Sequence, residues 1–185
     1  LYFEEYESNL SHELLKRKDI NPIIIRTNKN MKFFNKSYLE STKSVLNYII
    51  DYYNDIDAEV LKFKKWLECN NIKIEYFFND SEYYLEFSNR FARKLELYAL
   101  SDEQICWVRD KVDMKKRFRE IGLDTVDFKE INSKDELKDF FVKNGSKRMI
   151  FKPRRGMNSI ETYMINSLED IDGLEIDIIP GKYMA

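Results

Sequence analysis

The stretch Ile150-Phe151-Lys152-Pro153-Arg154-Arg155-Gly156-Met157-Asn158-Ser159 carries the strongest signal in this chain of 185 residues. Its apolar start predicts a strand that brings Lys152 out at its end, and the proline that follows stops the pairing of strands. A loop with a glycine, an amide and a hydroxyl comes next, before a second apolar run at residues 162–165. The pattern therefore predicts a β-hairpin with a basic tip that can fold over a ligand.

The tip of this hairpin has the groups that bind a polyphosphate. A glycine leaves the backbone free, so that successive N–H groups can point at one anion. Asn158 and Ser159 add side-chain donors, and Lys152 adds a positive charge. Taken alone, the same residues fit an ordinary surface hairpin equally well.

The composition narrows the class of protein. Apolar residues make up 43% and aromatic residues 15% of the chain, so it can bury a core. The net charge of −2 argues against binding nucleic acid through bulk positive charge. Two distant cysteines and one histidine give neither a metal site of ordinary spacing nor a catalytic triad. Without a membrane-spanning run or a signal peptide, we expect no membrane partner and a cytoplasmic location.

The first hundred residues predict a parallel α/β arrangement. The run Ile23-Ile24-Ile25 is typical of a strand that is buried on both faces of a sheet. No glycine-rich turn follows the first strand, which counts against a dinucleotide-binding dehydrogenase. Strands are predicted at residues 1–6, 22–27 and 72–78, and helices at 10–18, 38–53, 57–70 and 81–97.

The remaining residues predict a smaller α+β unit. Ser133-Lys134-Asp135-Glu136 is a capping box, and its helix ends at Gly145. A long helix is predicted from residue 101 to about 121, where Gly122 ends it, and we interpret Arg109 and Asp110 as a salt bridge on its face. Strands are predicted at 126–131, 149–153, 161–165 and from 181 onward, and a short helix follows Ser167.

The order of these features is specific. A helix containing Asp110-Lys111 and Met114 ends in Ile121-Gly122-Leu123, and a strand, a capped helix and the lysine hairpin follow. This order resembles the ATP-grasp family, and within it the carboxylate–amine ligases. The resemblance implies a Rossmann-like pre-ATP-grasp α/β domain at residues 1–100, followed by a small α+β ATP-grasp lid subdomain at residues 101–185.

The resemblance also implies an ATP site. Lys111 and Lys152 match the family's two lysines that bind ATP phosphates, and the residues after Gly156 match its phosphate loop. The family's loop often has more glycine, whereas Met157 and Ile160 stand at such positions here. The residues expected to bind ATP are Lys111, Lys152, Arg154, Gly156, Met157, Asn158, Ser159 and Met184.

The activity implied by the resemblance is ATP-dependent ligation of a carboxylate to an amine or thiol through an acyl phosphate. ATP and Mg²⁺ would be the cofactors, and small-molecule carboxylates and amines would be the substrates. A homodimer is compatible with the resemblance. The family's Mg²⁺ ligands and catalytic residues lie beyond the part that matches this chain, so we expect a truncated, inactive N-terminal part. Two alternatives stay open: a non-catalytic nucleotide-binding or interaction module, and a generic α/β domain without nucleotide.

Overall fold

The computed structural model describes all residues from Leu1 to Ala185 and divides the chain into two compact units, Leu1–Asp102 and Glu103–Ala185. The predicted α/β fold class is confirmed, with a parallel sheet first and a small antiparallel sheet second. The assignment of the two units to a pre-ATP-grasp domain and a lid subdomain stays a prediction. None of the helices is both long and apolar enough to cross a membrane.

The first unit is built on a four-stranded parallel sheet with the strand order β3-β2-β1-β4. The strands are β1 (Tyr2–Phe3), β2 (Ile23–Thr27), β3 (Leu46–Ile50) and β4 (Phe78–Asn79). The helices are α1 (Asn9–Lys16), α2 (Lys36–Ser41), α3 (Ile56–Cys69) and α4 (Leu85–Lys94), with 3-10 turns at Met31–Phe33 and Thr42–Ser44.

The predicted strand at the isoleucine run is the centre of this sheet. Every residue of β2 is buried, which agrees with a strand covered on both faces. Ile23 and Ile25 pack in one core cluster with Phe63 of α3 and Phe91 of α4. Local signals place the helices around it: Ser8 caps α1 in a capping box.

The helix predicted over residues 38–53 is wrong. Only α2 and the 3-10 turn at Thr42–Ser44 are helical there, and Leu46–Ile50 forms β3, which pairs with β2 along its whole length. The apolar spacing misled because Leu46 and Ile49 lie on opposite faces of this edge strand and are 43% and 54% exposed, so they do not mark one buried face. The predicted strand at residues 1–6 shrinks to the two residues of β1, and the one predicted at 72–78 overlaps β4 only at Phe78.

The second unit is built on a four-stranded antiparallel sheet with the strand order β5-β8-β6-β7. The strands are β5 (Glu130–Ile131), β6 (Met149–Pro153), β7 (Tyr163–Ile165) and β8 (Tyr183–Met184). The helices are α5 (Asp102–Arg109), α6 (Lys111–Glu120), α7 (Lys134–Lys143) and α8 (Leu168–Asp172). The core of the unit lies between this sheet and helices α7 and α8, and it includes Leu137, Phe141, Phe151, Ile165 and Ile171.

The long helix predicted over residues 101–121 is broken at Asp110. This residue has extended backbone angles and caps α6, because its side chain accepts hydrogen bonds from the N–H groups of Val112 and Asp113. Asp110 therefore does not lie on the face of a continuous helix, which corrects the interpretation of Arg109 and Asp110. Gly122 ends α6 with a φ of +79°, as expected for a helix-terminating glycine.

A buried ion pair holds the edge of the parallel sheet together. Arg26 Nε donates to Glu4 Oε2 at 2.6 Å, and the two side chains are 4% and 0% exposed. The Tyr38 hydroxyl also donates to Glu4, and Arg26 Nη1 donates to Asn47 at 2.6 Å. The guanidinium lies 4.9 Å from the centre of the Phe34 ring. The carboxyl-terminal ends of β1 and β2 are thus fixed by burial as well as by charge.

We expect Arg26→Met to lower the free energy of unfolding by about 3–5 kcal/mol, because it leaves the Glu4 carboxylate buried without its cation. Urea unfolding measures this loss. The double variant Glu4→Gln, Arg26→Met should regain part of it, since no buried charge is left. The matched control is Arg17→Met, which removes an exposed pair with Asp19 and should change nothing measurable. Equal effects of Arg26→Met and Arg17→Met would contradict this account.

Candidate functional site

One face of the antiparallel sheet is turned away from the core of the second unit. In β6, Phe151 and Pro153 are buried, so Ile150 and Lys152 point to the opposite face. The register places Met164 opposite Ile150 and Met184 opposite Lys152, on that same face. We call Ile150, Lys152, Met164 and Met184 the outer sheet face. Ile150 is 38% and Met164 54% exposed, so an apolar surface lies beside the lysine.

A second lysine reaches this region from α6. Lys115 Nζ lies 5.6 Å from the centre of the Phe128 ring, and the Arg119 guanidinium lies 4.6 Å from it. Burial and the positive charges of Lys152 and Arg119 lower the pKa of Lys115. The ion pairs of the chain include neither Lys115 nor Lys152. Two neighbouring cations without a carboxylate are an arrangement that an anion stabilises.

Arg154 has the opposite environment. It lies two residues beyond Lys152, and its guanidinium contacts Asp110 at 3.0 Å, Asp113 at 3.5 Å and also Glu130. Its side chain is only 15% exposed. Because three carboxylates surround it, Arg154 holds α6 and β5 to the end of β6. We name this set of four residues the Arg154 cluster.

The Asp110 carboxylate has two roles at once. It caps α6 and it pairs with Arg154, while its side chain is 5% exposed. Burial raises the pKa of a carboxyl group, but the hydrogen bond from Arg154 and those from the backbone N–H groups of Asp113 and Val112 outweigh it. The pKa of Asp110 is therefore lowered below its usual value of 3.8.

Lys111 ties the start of α6 to the loop. Its backbone N–H donates to the Arg154 carbonyl at 3.0 Å, and its Nζ donates to the Gly156 carbonyl at 2.7 Å. A further contact joins Nζ to the Arg154 carbonyl at 3.3 Å. The predicted loop residue Gly156 and the predicted lysine Lys111 are thus brought together directly.

The loop conformation differs from what the glycine suggested. Gly156 does not have a positive φ; instead a Cβ at this position would lie 3.0 Å from Pro153 Cβ, so the glycine permits a close approach. The left-handed backbone falls on Asn158 and Ser159, with φ of 54° and 57°, and on Glu161 with 53°. Such angles cost energy for residues with a side chain, so the tip of the hairpin is strained.

The structure gathers part of the predicted site and adds to it. Lys152 and Met184 are register partners, Lys111, Arg154 and Gly156 are in contact, and Met157, Asn158 and Ser159 form the loop tip. The sequence interpretation missed Lys115, Ile150 and Met164. Lys115 follows Lys111 by four residues, which places both on one face of a helix, and the alternation along β6 could have identified Ile150.

The described residues form no cluster of side chains that could hold a metal ion by themselves. No group of three or more His, Cys, Asp or Glu side chains is arranged to hold a metal ion. Asp110, Asp113 and Glu130 all contact Arg154, and Glu161 in the loop itself contacts Lys182 and the Tyr183 hydroxyl. These carboxylates are therefore engaged already.

The fold has clear relatives among solved structures. The chain superposes over 99% of its length on an L-amino acid ligase from Bacillus licheniformis, with a TM-score of 0.66 and 12% identity, and covers 42% of that chain. It also superposes over 99% of its length on N5-carboxyaminoimidazole ribonucleotide synthetase from Thermus thermophilus, with a TM-score of 0.65 and 13% identity, and covers 45% of that chain. This chain has the N-terminal fold of an ATP-grasp ligase. The predicted ATP-grasp resemblance is thereby confirmed.

A third ATP-grasp structure was solved with nucleotide. It is the biotin carboxylase domain of 2-oxoglutarate carboxylase from Hydrogenobacter thermophilus, in complex with MgADP, ADP and bicarbonate. It matches 92% of this chain with a TM-score of 0.60 and 13% identity, and the chain covers 38% of it. The chain therefore spans less than half the length of these ATP-grasp proteins. No family model and no curated protein matches the sequence.

We expect Asp110→Asn to lower the free energy of unfolding by about 1–2 kcal/mol at pH 7, because a buried hydrogen bond between charged groups is lost. Asparagine keeps the capping acceptor, so the change isolates the charge. The stabilisation by a carboxylate with a lowered pKa is present above the unfolded value of 3.8 and is lost as the pH falls through the lower folded value. The difference between variant and wild type should therefore shrink in strong acid.

Denaturant unfolding at pH 7 and in strong acid measures this dependence. Asp127→Asn serves as the control, because Asp127 is 79% exposed in its pair with Arg119. A variant Asp110→Asn with wild-type stability at pH 7 would show that the Arg154 cluster does not hold α6.

Proposed function

We propose that this chain is the ATP-binding N-terminal part of a ligase that joins a carboxylate to an amine or thiol through an acyl phosphate. The observation that carries the proposal is the pair of uncompensated lysines, Lys115 and Lys152, beside the exposed apolar residues of the outer sheet face. A nucleotide has two parts that complement these groups: a polyanion for the lysines and a flat ring for the apolar surface. The ATP-grasp fold supports this choice of ligand.

Each group of residues has a defined task in this proposal. Lys152 and Lys115 neutralise the phosphates, and the exposed Ile150 and Met164 contact the adenine, whereas Met184, which is 2% exposed, backs this surface beside Lys152. The loop tip from Met157 to Ser159 closes over the phosphates and excludes water, and its strained backbone favours movement. Lys111 and Arg154 hold the base of the loop, so that only the tip has to move.

The proposed reaction transfers the terminal phosphoryl group of ATP to a substrate carboxylate, which gives ADP and an acyl phosphate. The amine or thiol then attacks the acyl carbon, releases phosphate and forms the new bond. The residues of this chain bind and orient the ATP that the first step uses, and orientation and charge neutralisation lower its barrier. Because ATP is the substrate, we place the protein in the cytoplasm.

The alternative proposal, a nucleotide-binding module without catalysis, also has an observation in its favour. The acidic residues near the loop are engaged by Arg154 or, for Glu161, by Lys182 and Tyr183, so this chain offers binding groups for nucleotide but no cluster of metal ligands. The chain alone should therefore bind nucleotide without turning it over. Ligation by these residues alone would contradict this part of the proposal.

We expect the chain to bind ADP, and we expect Lys152→Met and Lys115→Met each to weaken binding at least about tenfold, a loss of about 1.4 kcal/mol. Titration calorimetry measures both. Lys116→Met is the matched control, because Lys116 is the adjacent lysine, is 61% exposed and pairs with Asp113 at 3.7 Å. Phosphate binding should also raise the lowered pKa of Lys115, so at alkaline pH the complex takes up protons.

Two results would contradict the proposal. A wild-type chain that binds neither ADP nor ATP would remove the nucleotide from it. An effect of Lys116→Met as large as that of Lys115→Met would show that general positive charge, rather than the outer sheet face, attracts the ligand.

A further inference from the structure

The carboxyl edge of the parallel sheet in the first unit brings together one lysine and three tyrosines. Lys29 follows the end of β2, Tyr52 and Tyr53 follow β3, and Tyr83 follows β4. Because these strands are parallel, their carboxyl ends meet at one edge of the sheet. In open α/β sheets this edge is where ligands bind. We call these four residues the Lys29 site.

The ammonium group of Lys29 is surrounded by aromatic rings. Its Nζ lies 4.4 Å from the centre of the Tyr52 ring, 4.7 Å from that of Tyr83 and 6.0 Å from that of Tyr53. It also donates a hydrogen bond to the Tyr83 hydroxyl. Ring faces attract a cation, so the ammonium is held in place. Tyr53 is 75% and Tyr83 41% exposed, which leaves the site open to solvent.

The turn that carries Lys29 is fixed by buried hydrogen bonds. Asn30 is 1% exposed, its side chain accepts from the Thr27 N–H at 2.9 Å, and it donates to the carbonyls of Glu4 and Glu5 at 2.8 Å each. The Thr27 hydroxyl is 2.9 Å from that of the buried Tyr84. Lys29 is the side chain that this rigid turn presents beside the tyrosines.

Lys29 is held by tyrosine side chains and not by a carboxylate. No carboxylate contacts it, and the hydrogen bond to Tyr83 raises its pKa, so it stays charged at neutral pH. The cations of the same unit that pair with a carboxylate are Lys16, Arg17, Arg26, Lys43, Lys62, Arg93 and Lys94. A fixed positive charge without an acid, at the ligand-binding edge of a sheet, is suited to an anion.

We propose that the Lys29 site binds the oxyanion group, a carboxylate or a phosphate, of a ring-bearing small molecule. Lys29 and the Tyr83 hydroxyl donate to the oxyanion, and the rings of Tyr52 and Tyr53 contact the apolar part. A cationic ligand is disfavoured because it would meet the charge of Lys29. The inference rests on the proposed function in one respect only: in a ligase, this molecule would be the carboxylate-bearing substrate.

The test is an NMR titration of the chain with benzoate, phenyl phosphate and benzylammonium, without nucleotide. We expect benzoate or phenyl phosphate to shift the amide signals of Asn28 to Asn30 and the ring signals of Tyr53 and Tyr83, and benzylammonium to leave them unchanged. Lys29→Met should weaken oxyanion binding about tenfold or more, and Tyr83→Phe, which keeps the ring, a few-fold. Lys32→Met is the control, because Lys32 lies over a single ring, Phe33, at 5.1 Å.

The three probes separate the ligand classes. Stronger binding of phenyl phosphate than of benzoate, or the reverse, identifies which oxyanion the site takes. The proposal is overturned if benzylammonium binds as well as the anions, or if a folded Lys29→Met chain binds them like the wild type. No nucleotide is present, so failure of this site is distinct from failure of ADP binding at the outer sheet face.

Discussion

The ion pair between Asp110 and Arg154 is the contact on which the second unit's site depends. Arg154 directly follows β6, and Asp110 starts α6, so one contact fixes a helix to the end of a strand. Beside this contact, the backbone N–H of Lys111 donates a hydrogen bond to the Arg154 carbonyl, which attaches the loop to the start of α6. Because α6 is held there, burial and the charge of Lys152 both act on Lys115 and lower its pKa. Without this junction, the two lysines would have no reason to share a surface.

Both units contain arginines that pair with carboxylates and lysines that have no carboxylate partner. Arg26 pairs with one carboxylate, Glu4, and Arg154 with three, and both arginines are little exposed, so they stabilise the ends of strands. Lys29 in the first unit, and Lys115 with Lys152 in the second, have no carboxylate partner. The charge of a buried arginine that pairs with carboxylates is already neutralised within the fold. The charge of a lysine without a carboxylate partner can instead bind an anionic ligand. This contrast separates the residues that build each site from those that we propose to bind.

Local signals were predicted well from the sequence, and contacts between distant residues were not. The cap at Ser133 and the strand Met149–Pro153 depend on neighbours in the chain, and the structure confirms both, although the Glu136 carboxylate accepts from the Asn132 N–H and not from that of Ser133. β3 was misread as a helix because its pairing with β2, which is distant in the chain, cannot be recognised from the residues of β3 themselves. Asp110 was misread because its partner, Arg154, lies 44 residues away. For the same reason the contact of Gly156 with Pro153 and the role of Lys115 emerge only from the folded chain.

The most direct test of the nucleotide site uses the six methionines as probes, through NMR of ¹³C-labelled methyl groups during a titration with ADP. Met164 and Met184 lie on the outer sheet face and Met157 on the loop tip, whereas Met149 packs on the core side and Met31 lies in the first unit. The account predicts that ADP shifts the methyl signals of Met164, Met184 and Met157 and leaves those of Met31 and Met149 in place. A titration in which Met164 and Met184 do not respond would contradict it.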